Sequence, residues 1–206
     1  MMFENQYRTH TCAGIDESVI GSEVRVAGWV ENIRDHGGVQ FLDLRDHYGV
    51  VQVVVYDEAL LDGVTRECAV TVSGPVVKRS EETYNDKIAT GTVEVKAAAL
   101  TVLGRVRESL PFEVPASTET KEEVRLKYRF LDLRNRKVHD NIVLRSQVIS
   151  HLRRKMTELG FLEMQTPILS ASSPEGARDY LIPSRKFHGK FYALPQAPQI
   201  FKQLLM

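Results

Sequence analysis

Five stretches of the first half alternate apolar and polar residues with a period of two: 23–32, 39–45, 50–56, 68–77 and 92–102. They are rich in β-branched side chains and are separated by Gly, Asp and Asn, so the pattern predicts five strands. A helix-like segment, 57–66, falls between the third and fourth. The periodicity then changes. Over 139–159, Ile142, Val148, Ile149, Leu152, Met156 and Leu159 recur at spacings of three, four and seven while Arg145, Arg153, Arg154 and Lys155 point elsewhere, which predicts an amphipathic helix. Gly160 is placed to end it. Residues 161–166 read as a short strand closed by Pro167, which has no amide to donate to a sheet ladder.

Five strands with a helix after the third match the order of an OB-fold barrel, in which the second and third strands present the usual nucleic-acid face. Parity assigns residues to that face. Leu42 and Leu44 share one side of the second strand, so Phe41, Asp43 and Arg45 share the other; Gln52 lies opposite Val51 and Val53, and Glu94 opposite Val93 and Val95. Two readings of Phe41 stand at this point: a ring covered by a neighbouring loop, or a platform on which a base stacks. Arg34, in the first loop, together with Gln52 and Glu94 offers polar groups suited to the edges of unstacked bases.

Between the two halves, 104–123 is rich in Pro, Glu, Ser and Thr without apolar periodicity, and reads as a hinge. The stretch 125–136 is dense in Arg, Tyr, Phe and Leu; taken alone it is a solvated basic face. A loop at 172–185 carries Glu175, Arg178 and Asp179 around Gly176. Near the end, Gln199 and Lys202 are three apart at a predicted helix start and share a face.

The chain of 206 residues has zero net charge, but the charge is divided. Residues 1–103 hold 9 Lys and Arg against 16 Asp and Glu, and residues 104–206 hold 18 against 11. An acidic first half excludes binding driven by phosphate neutralisation, so any RNA contact there must rest on bases at a small site. Cys12 and Cys68 have no metal-ligand or disulfide spacing, which points to a reducing compartment and to no metal site. No run is apolar enough to span a membrane and no secretory leader opens the chain; a cytoplasmic location is the expectation.

Several segments together carry a family resemblance: Trp29-Val30 with Arg34-Asp35-His36-Gly37-Gly38, Phe41-Leu42-Asp43-Leu44-Arg45-Asp46, Arg129-Phe130-Leu131-Asp132-Leu133-Arg134, the run GFLEMQTPIL, and the closing PEGARDYL-PSR and FYALPQAPQIFKQLLM. Over nearly its whole length the chain resembles bacterial aspartyl-tRNA synthetases, which are class II enzymes. The resemblance implies an all-β OB-fold barrel at 1–103 that grips the anticodon, a linker at 104–123, and at 124–206 the start of an α+β class II catalytic domain with an incomplete antiparallel sheet. It implies ATP-dependent ligation of L-aspartate to tRNA-Asp through an adenylate, with ATP and Mg²⁺ as cofactors. Positions matching the family's anticodon contacts are Arg34, Phe41, Gln52 and Glu94. His36 matches the place near the third anticodon base, where relaxed members carry His followed by Gly and so accept tRNA-Asn as well. Glu175, Gln199 and Lys202 match aspartate contacts, and the segment at 172–185 matches the mobile loop over that substrate. Ala197 stands where many members have Ser.

The long helix with Gly160 and Pro167 matches motif 1, which makes the family's homodimer interface. The segment 125–136 lies, in the family, beside the start of the catalytic domain and near the tRNA. The arginines of motifs 2 and 3, which grip ATP, are expected beyond Met206, so no catalytic set is complete in this stretch. Asparaginyl- and lysyl-tRNA synthetases share the layout, and a free-standing OB-fold RNA-binding module remains a third reading; the Gly-Ala-Arg-Asp-Tyr loop and the Arg-Asp-His-Gly-Gly turn favour aspartate.

Overall fold

Six strands, rather than five, build the first half: β1 (Glu23–His36), β2 (Val39–Arg45), β3 (Val50–Val55), β4 (Ala69–Lys78), β5 (Val93–Lys96) and β6 (Ala99–Gly104). The stretch 92–102 is split because the chain turns at 97–98 and its second part pairs with β4 instead of running on beside β3. In the computed structural model, which describes residues 4–172, 178–194 and 196–206, the sheet order is β1-β2-β3-β5-β4-β6, and β1 also pairs with β4. That second pairing closes the barrel. Glu23 to Trp29 of β1 lie along β4, and Trp29 to His36 lie along β2.

One strand can serve two neighbours only by bending. Gly28 permits the bend, because a Cβ there would sit 2.3 Å from the Arg45 carbonyl oxygen, closer than any side chain tolerates. A bulge follows: Val30 faces Leu44 and Asn32 faces Asp43, leaving Glu31 without a partner in the ladder. The core is filled by inward positions of the alternation, with Val24, Val26, Val30, Leu42, Leu44, Val51, Val53, Val70, Val72 and Val95 all buried. The predicted helix at 57–66 is only a 3₁₀ turn, Glu58–Leu61, capped by the Asp57 carboxylate accepting from the Ala59 amide; Gly63, with a positive φ, breaks it.

The stretch expected to act as a hinge is instead folded. The chain divides into two compact units, Met1–Arg136 and Lys137–Met206, so 104–123 falls inside the first. A 3₁₀ segment, Val114–Glu119, leads into two short helices, α1 (Glu122–Lys127) and α2 (Arg129–Asp132). Phe112, Val114 and Leu131 form a small second core. Asp132, fully buried, accepts from Ser117 Oγ at 2.8 Å, from Arg125 Nε at 3.0 Å and from Arg129. Burial pushes its carboxyl up, but the hydrogen bonds from Arg125 and Ser117 and the charges of Arg125 and Arg129 outweigh it, and the net shift is downward. Asn135 Nδ2 donates to the carbonyls of Val114 and Pro115. The basic run is therefore not simply a solvated face.

The barrel is tied to this segment by charge. Arg45 donates to Glu67 and, through Nη1, to the Arg134 carbonyl at 3.2 Å. Arg134 Nη1 donates to Glu67 Oε2 at 3.0 Å, and its guanidinium lies 4.5 Å from the centre of the Trp29 ring.

The second unit opens with α3 (Arg136–Glu158), followed by β7 (Tyr180–Pro183), β8 (Phe191–Leu194) and α4 (Gln199–Leu204). Gly160, at φ +87°, ends α3 as expected. The Phe161 amide donates to the Met156 carbonyl and the Gly160 amide to the Thr157 carbonyl, the pair of bonds that a left-handed glycine makes possible. Residues 161–166 are not a strand: extended chain becomes one only by pairing, and these residues pair with no other described residue. Part of the expected loop at 172–185 is strand instead, since β7 pairs with β8 through Tyr180–Leu194 and Leu181–Ala193.

Candidate nucleic-acid interface

Antiparallel pairing collects the barrel's polar positions on one outer face. Arg34 stands opposite Phe41 across β1 and β2, Asn32 opposite Asp43, and Asp43 opposite Gln52 across β2 and β3. A chain of contacts links them. Asp43 accepts from Arg34 Nη2 at 2.6 Å and from Asn32 Nδ2 at 3.3 Å. Arg34 also reaches Gln52 Oε1 at 3.4 Å, Gln52 Nε2 donates to Glu94 Oε2 at 2.8 Å, and Arg79 lies 3.9 Å from that same oxygen. Arg34, Gln52 and Glu94 thus meet in one array.

Two of these residues differ from the open reading groups expected. Gln52 is only 4% exposed, with both ends of its amide engaged; β3 is a central strand, so its outward residue is roofed by neighbours. Phe41 is half-buried. Its ring meets that of His36 edge-on, 5.8 Å between centres at 75°. The hairpin tip bearing His36 is preset by Asp35, whose carboxylate accepts from the Gly38 amide at 3.2 Å and from Gln40 Nε2 at 2.7 Å. Gly37 and Gly38 both have positive φ, as this tight turn requires.

Asp43 stands on the outward side with Phe41, as parity predicts, but its partner Asn32 and the more distant Arg79 are missed: the bulge at Glu31 shifts Asn32 off the inward parity of Val30, and Arg79 lies just past the end of β4, where no period ties it to Glu94. The residues matched to aspartate binding are less gathered. Gln199 opens α4 and Lys202 lies one turn on, both exposed. Glu175 falls outside the described residues. Gly160 and Pro167 flank the irregular 161–166 segment.

Comparison with known proteins agrees with the barrel as a domain. Residues 24–103 match the model of the OB-fold nucleic acid binding domain, and residues 121–206 that of the tRNA synthetases class II (D, K and N). The chain is 54% identical over 207 residues to the Aspartate--tRNA(Asp/Asn) ligase of Rickettsia akari (strain Hartford), covering 98% of this chain and 34% of that protein. It is 53% identical over 204 residues to the ligase of the same name from Erythrobacter litoralis, covering 97% and 34%. The chain belongs to the aspartyl-tRNA synthetase family of class II. It spans about a third of the length of these curated relatives. Among solved structures, asparaginyl-tRNA synthetase from Pyrococcus horikoshii complexed with asparaginyl-adenylate matches with a TM-score of 0.78 at 27% identity, over 99% of this chain and 45% of that one. A putative aspartyl-tRNA synthetase from Leishmania major matches with 0.81 at 21%, over 100% and 42%, a likeness of fold. None of the described helices is long and apolar enough to cross a membrane.

Proposed function

We propose that this chain supplies the anticodon grip and part of the aspartate site of a cytoplasmic, ATP-dependent ligase that joins L-aspartate to tRNA-Asp. The observation that carries the reading is the outer barrel face: a half-exposed ring, Phe41, beside a preset line of donors and acceptors from Arg34 to Glu94. Such a face suits stacking of one unpaired base and edge recognition of its neighbours. Arg34, 44% exposed, is the reader free to turn outward, while Gln52 and Glu94 hold the array in register. His36, at the tip beside Phe41, meets the third base. Imidazole donates or accepts according to tautomer, so it satisfies either pyrimidine and admits tRNA-Asn too; the two relatives named above are named for both tRNAs.

In the second unit, Gln199 and Lys202 present an amide and a cation to the substrate's carboxylate, with Glu175 for its ammonium group. ATP with Mg²⁺ supplies carboxylate activation when bound. Among the described residues no three His, Cys, Asp or Glu side chains gather to hold an ion. Two copies of the parent protein pair through α3 and the segment from Gly160 to Pro167, a reading supported by the exposed apolar side chains of Ile142, Leu152, Met156 and Phe161.

The test uses this chain and its longer parent. The chain binds the anticodon arm of tRNA-Asp and loses it when the triplet is scrambled, yet shows no aspartate-dependent pyrophosphate exchange; triplet-blind binding sinks the anticodon reading. The parent charges tRNA-Asp and tRNA-Asn transcripts comparably, and His36→Leu shifts it toward tRNA-Asp. A wild-type preference of about a hundredfold, the scale of a firmly read base, excludes the dual specificity.

A further inference from the structure

The outer barrel face carries a second aromatic ring that the anticodon reading leaves unused. Tyr56 follows β3 directly and is 59% exposed. Val53 and Val55 are buried on the inner side, so the alternation puts Val54 and Tyr56 on the outer side with Gln52. Val54 supports that assignment. It is buried, yet it stands apart from the inner cluster that takes in Val51, Val53 and Val55.

The register of the sheet sets a row of residues across this face. Arg34 stands opposite Phe41, Phe41 opposite Val54, and Val54 opposite Lys96, in the order β1, β2, β3 and β5. Lys96 points outward because its neighbour Val95 is buried inward. The Ala97 amide donates to the Val54 carbonyl at 2.8 Å and so holds the end of β5 against β3. The Lys96 ammonium lies 5.8 Å from the centre of the Tyr56 ring. That contact places the ring on the outer face, diagonally across from Phe41; in a regular sheet such a step is about 7–8 Å.

Charge separates this corner from the rest of the face. Asp43 is engaged by Arg34 and Asn32, and Glu94 by Gln52. Asp57, next to Tyr56 in the chain, gives its carboxylate to the Ala59 amide at 3.0 Å. Among the described residues no ion pair holds Lys96, whose recorded contact is the Tyr56 ring. A cation over an exposed ring is weakly held. Its charge is therefore available to an incoming anion. An exposed ring with an unpaired cation beside it suits one nucleotide, with the base on the ring and the phosphate at the ammonium; such stacking tolerates any base, because every base has a π face.

We propose that Tyr56 and Lys96 hold a second unpaired nucleotide of the bound RNA, adjoining the one stacked on Phe41 and taken without regard to base identity. The inference rests on the anticodon reading, since it extends the path of the same strand from Phe41 across β3.

The experiment measures binding of this chain and its variants to anticodon arms of tRNA-Asp in which one abasic nucleotide is moved through the loop a position at a time. With the unmodified arm, Tyr56→Ala weakens binding about tenfold, the scale of one lost stack, and Tyr56→Phe, which keeps the ring, stays within about twofold of wild type. Against one abasic arm the effect of Tyr56→Ala vanishes, as it does only for directly coupled partners. That position is next to the one at which the effect of Phe41→Ala vanishes. Exchanging its base among the four changes wild-type affinity by less than about threefold. Lys96→Met lowers the slope of log affinity against log salt by about 0.7, the value for one phosphate of a single strand. Melting temperatures confirm that each variant is folded. The proposal is overturned if Tyr56→Ala binds every arm as wild type does, loses affinity equally for all of them, or couples to the same position as Phe41→Ala. With Phe41 still coupled to its own base, such a result removes this inference alone. If neither ring couples to any position and a scrambled triplet binds equally well, the anticodon reading beneath it falls too.

Discussion

The barrel unit and the helical unit spend their apolar residues in opposite ways. In the first, inward positions of the strands disappear: Val30, Leu42, Leu44 and Val72 are all 0% exposed. In the second, the apolar stripe of α3 stays in view, with Val148 at 48%, Leu152 at 58% and Met156 at 46%. Both were written with equally clear periodicity. The difference teaches that a period defines a face but not its cover, because a closed sheet buries its own inner face whereas a single helix must be buried by something else.

That contrast is most directly broken by matched deletions. Leu42→Ala in the barrel is expected to cost about 2–5 kcal/mol in chemical denaturation, the usual range for a fully buried leucine; Leu152→Ala, on the exposed stripe, should cost under about 1 kcal/mol in the isolated chain. Equal losses at the two sites would mean that α3 has a partner inside this chain. If two copies of the parent protein pair through α3 as proposed, Leu152→Ala there shifts the monomer–dimer balance seen by sedimentation.

The strap that closes the first unit tests whether it belongs to the barrel's stability. Asp132→Ala leaves Ser117 and Arg125 facing an empty site and should cost about 3 kcal/mol, as breaking a buried pair does. Its pH signature follows from the downward shift of Asp132: a carboxyl held lower when folded contributes stability that is fully present above the ordinary carboxylate range, near pH 4, and is lost as pH falls through the folded value. Wild type should therefore lose more stability between about pH 5 and pH 2 than the variant, read from denaturation midpoints at each pH.

Smaller effects sharpen the functional side. Phe41→Ala should weaken binding of the anticodon arm by about 1–3 kcal/mol, the worth of one base stack, while moving the melting temperature little, since the ring is only half-buried. Unfolding in place of weakened binding would class the ring with the core. Last, Gly160→Ala should cost about 1 kcal/mol of unit stability through its left-handed backbone alone, because a Cβ there meets nothing within 4 Å.

Reading the residues recovered most of the barrel and the outward side of its face, since period-two alternation registers directly on a sheet. It placed Phe41, Gln52 and Glu94 correctly outward but did not show that Gln52 is roofed by Arg34 and Glu94, a fact that depends on neighbours from β1 and β5. It also read 104–123 as a hinge. That stretch has no apolar period, yet Phe112 and Val114 pack on Leu131 while Asn135 satisfies the Val114 and Pro115 carbonyls; irregular chain is held by specific partners, which leave no periodic trace. Arg79 was invisible for the same reason.

What the sequence determined by itself, then, was everything that repeats locally or is written in contiguous motifs: strands and their faces, the long helix and its Gly160 stop, and the family. Tertiary structure alone decided where β1 bends and bulges, which charges meet at Glu67 and Asp132, and how Asn32, Asp43, Arg34, Gln52 and Glu94 join into one line. Alternation and capping are set by residues a few positions apart. An ion pair between residues 67 positions apart, as between Arg134 and Glu67, exists only once the barrel has closed.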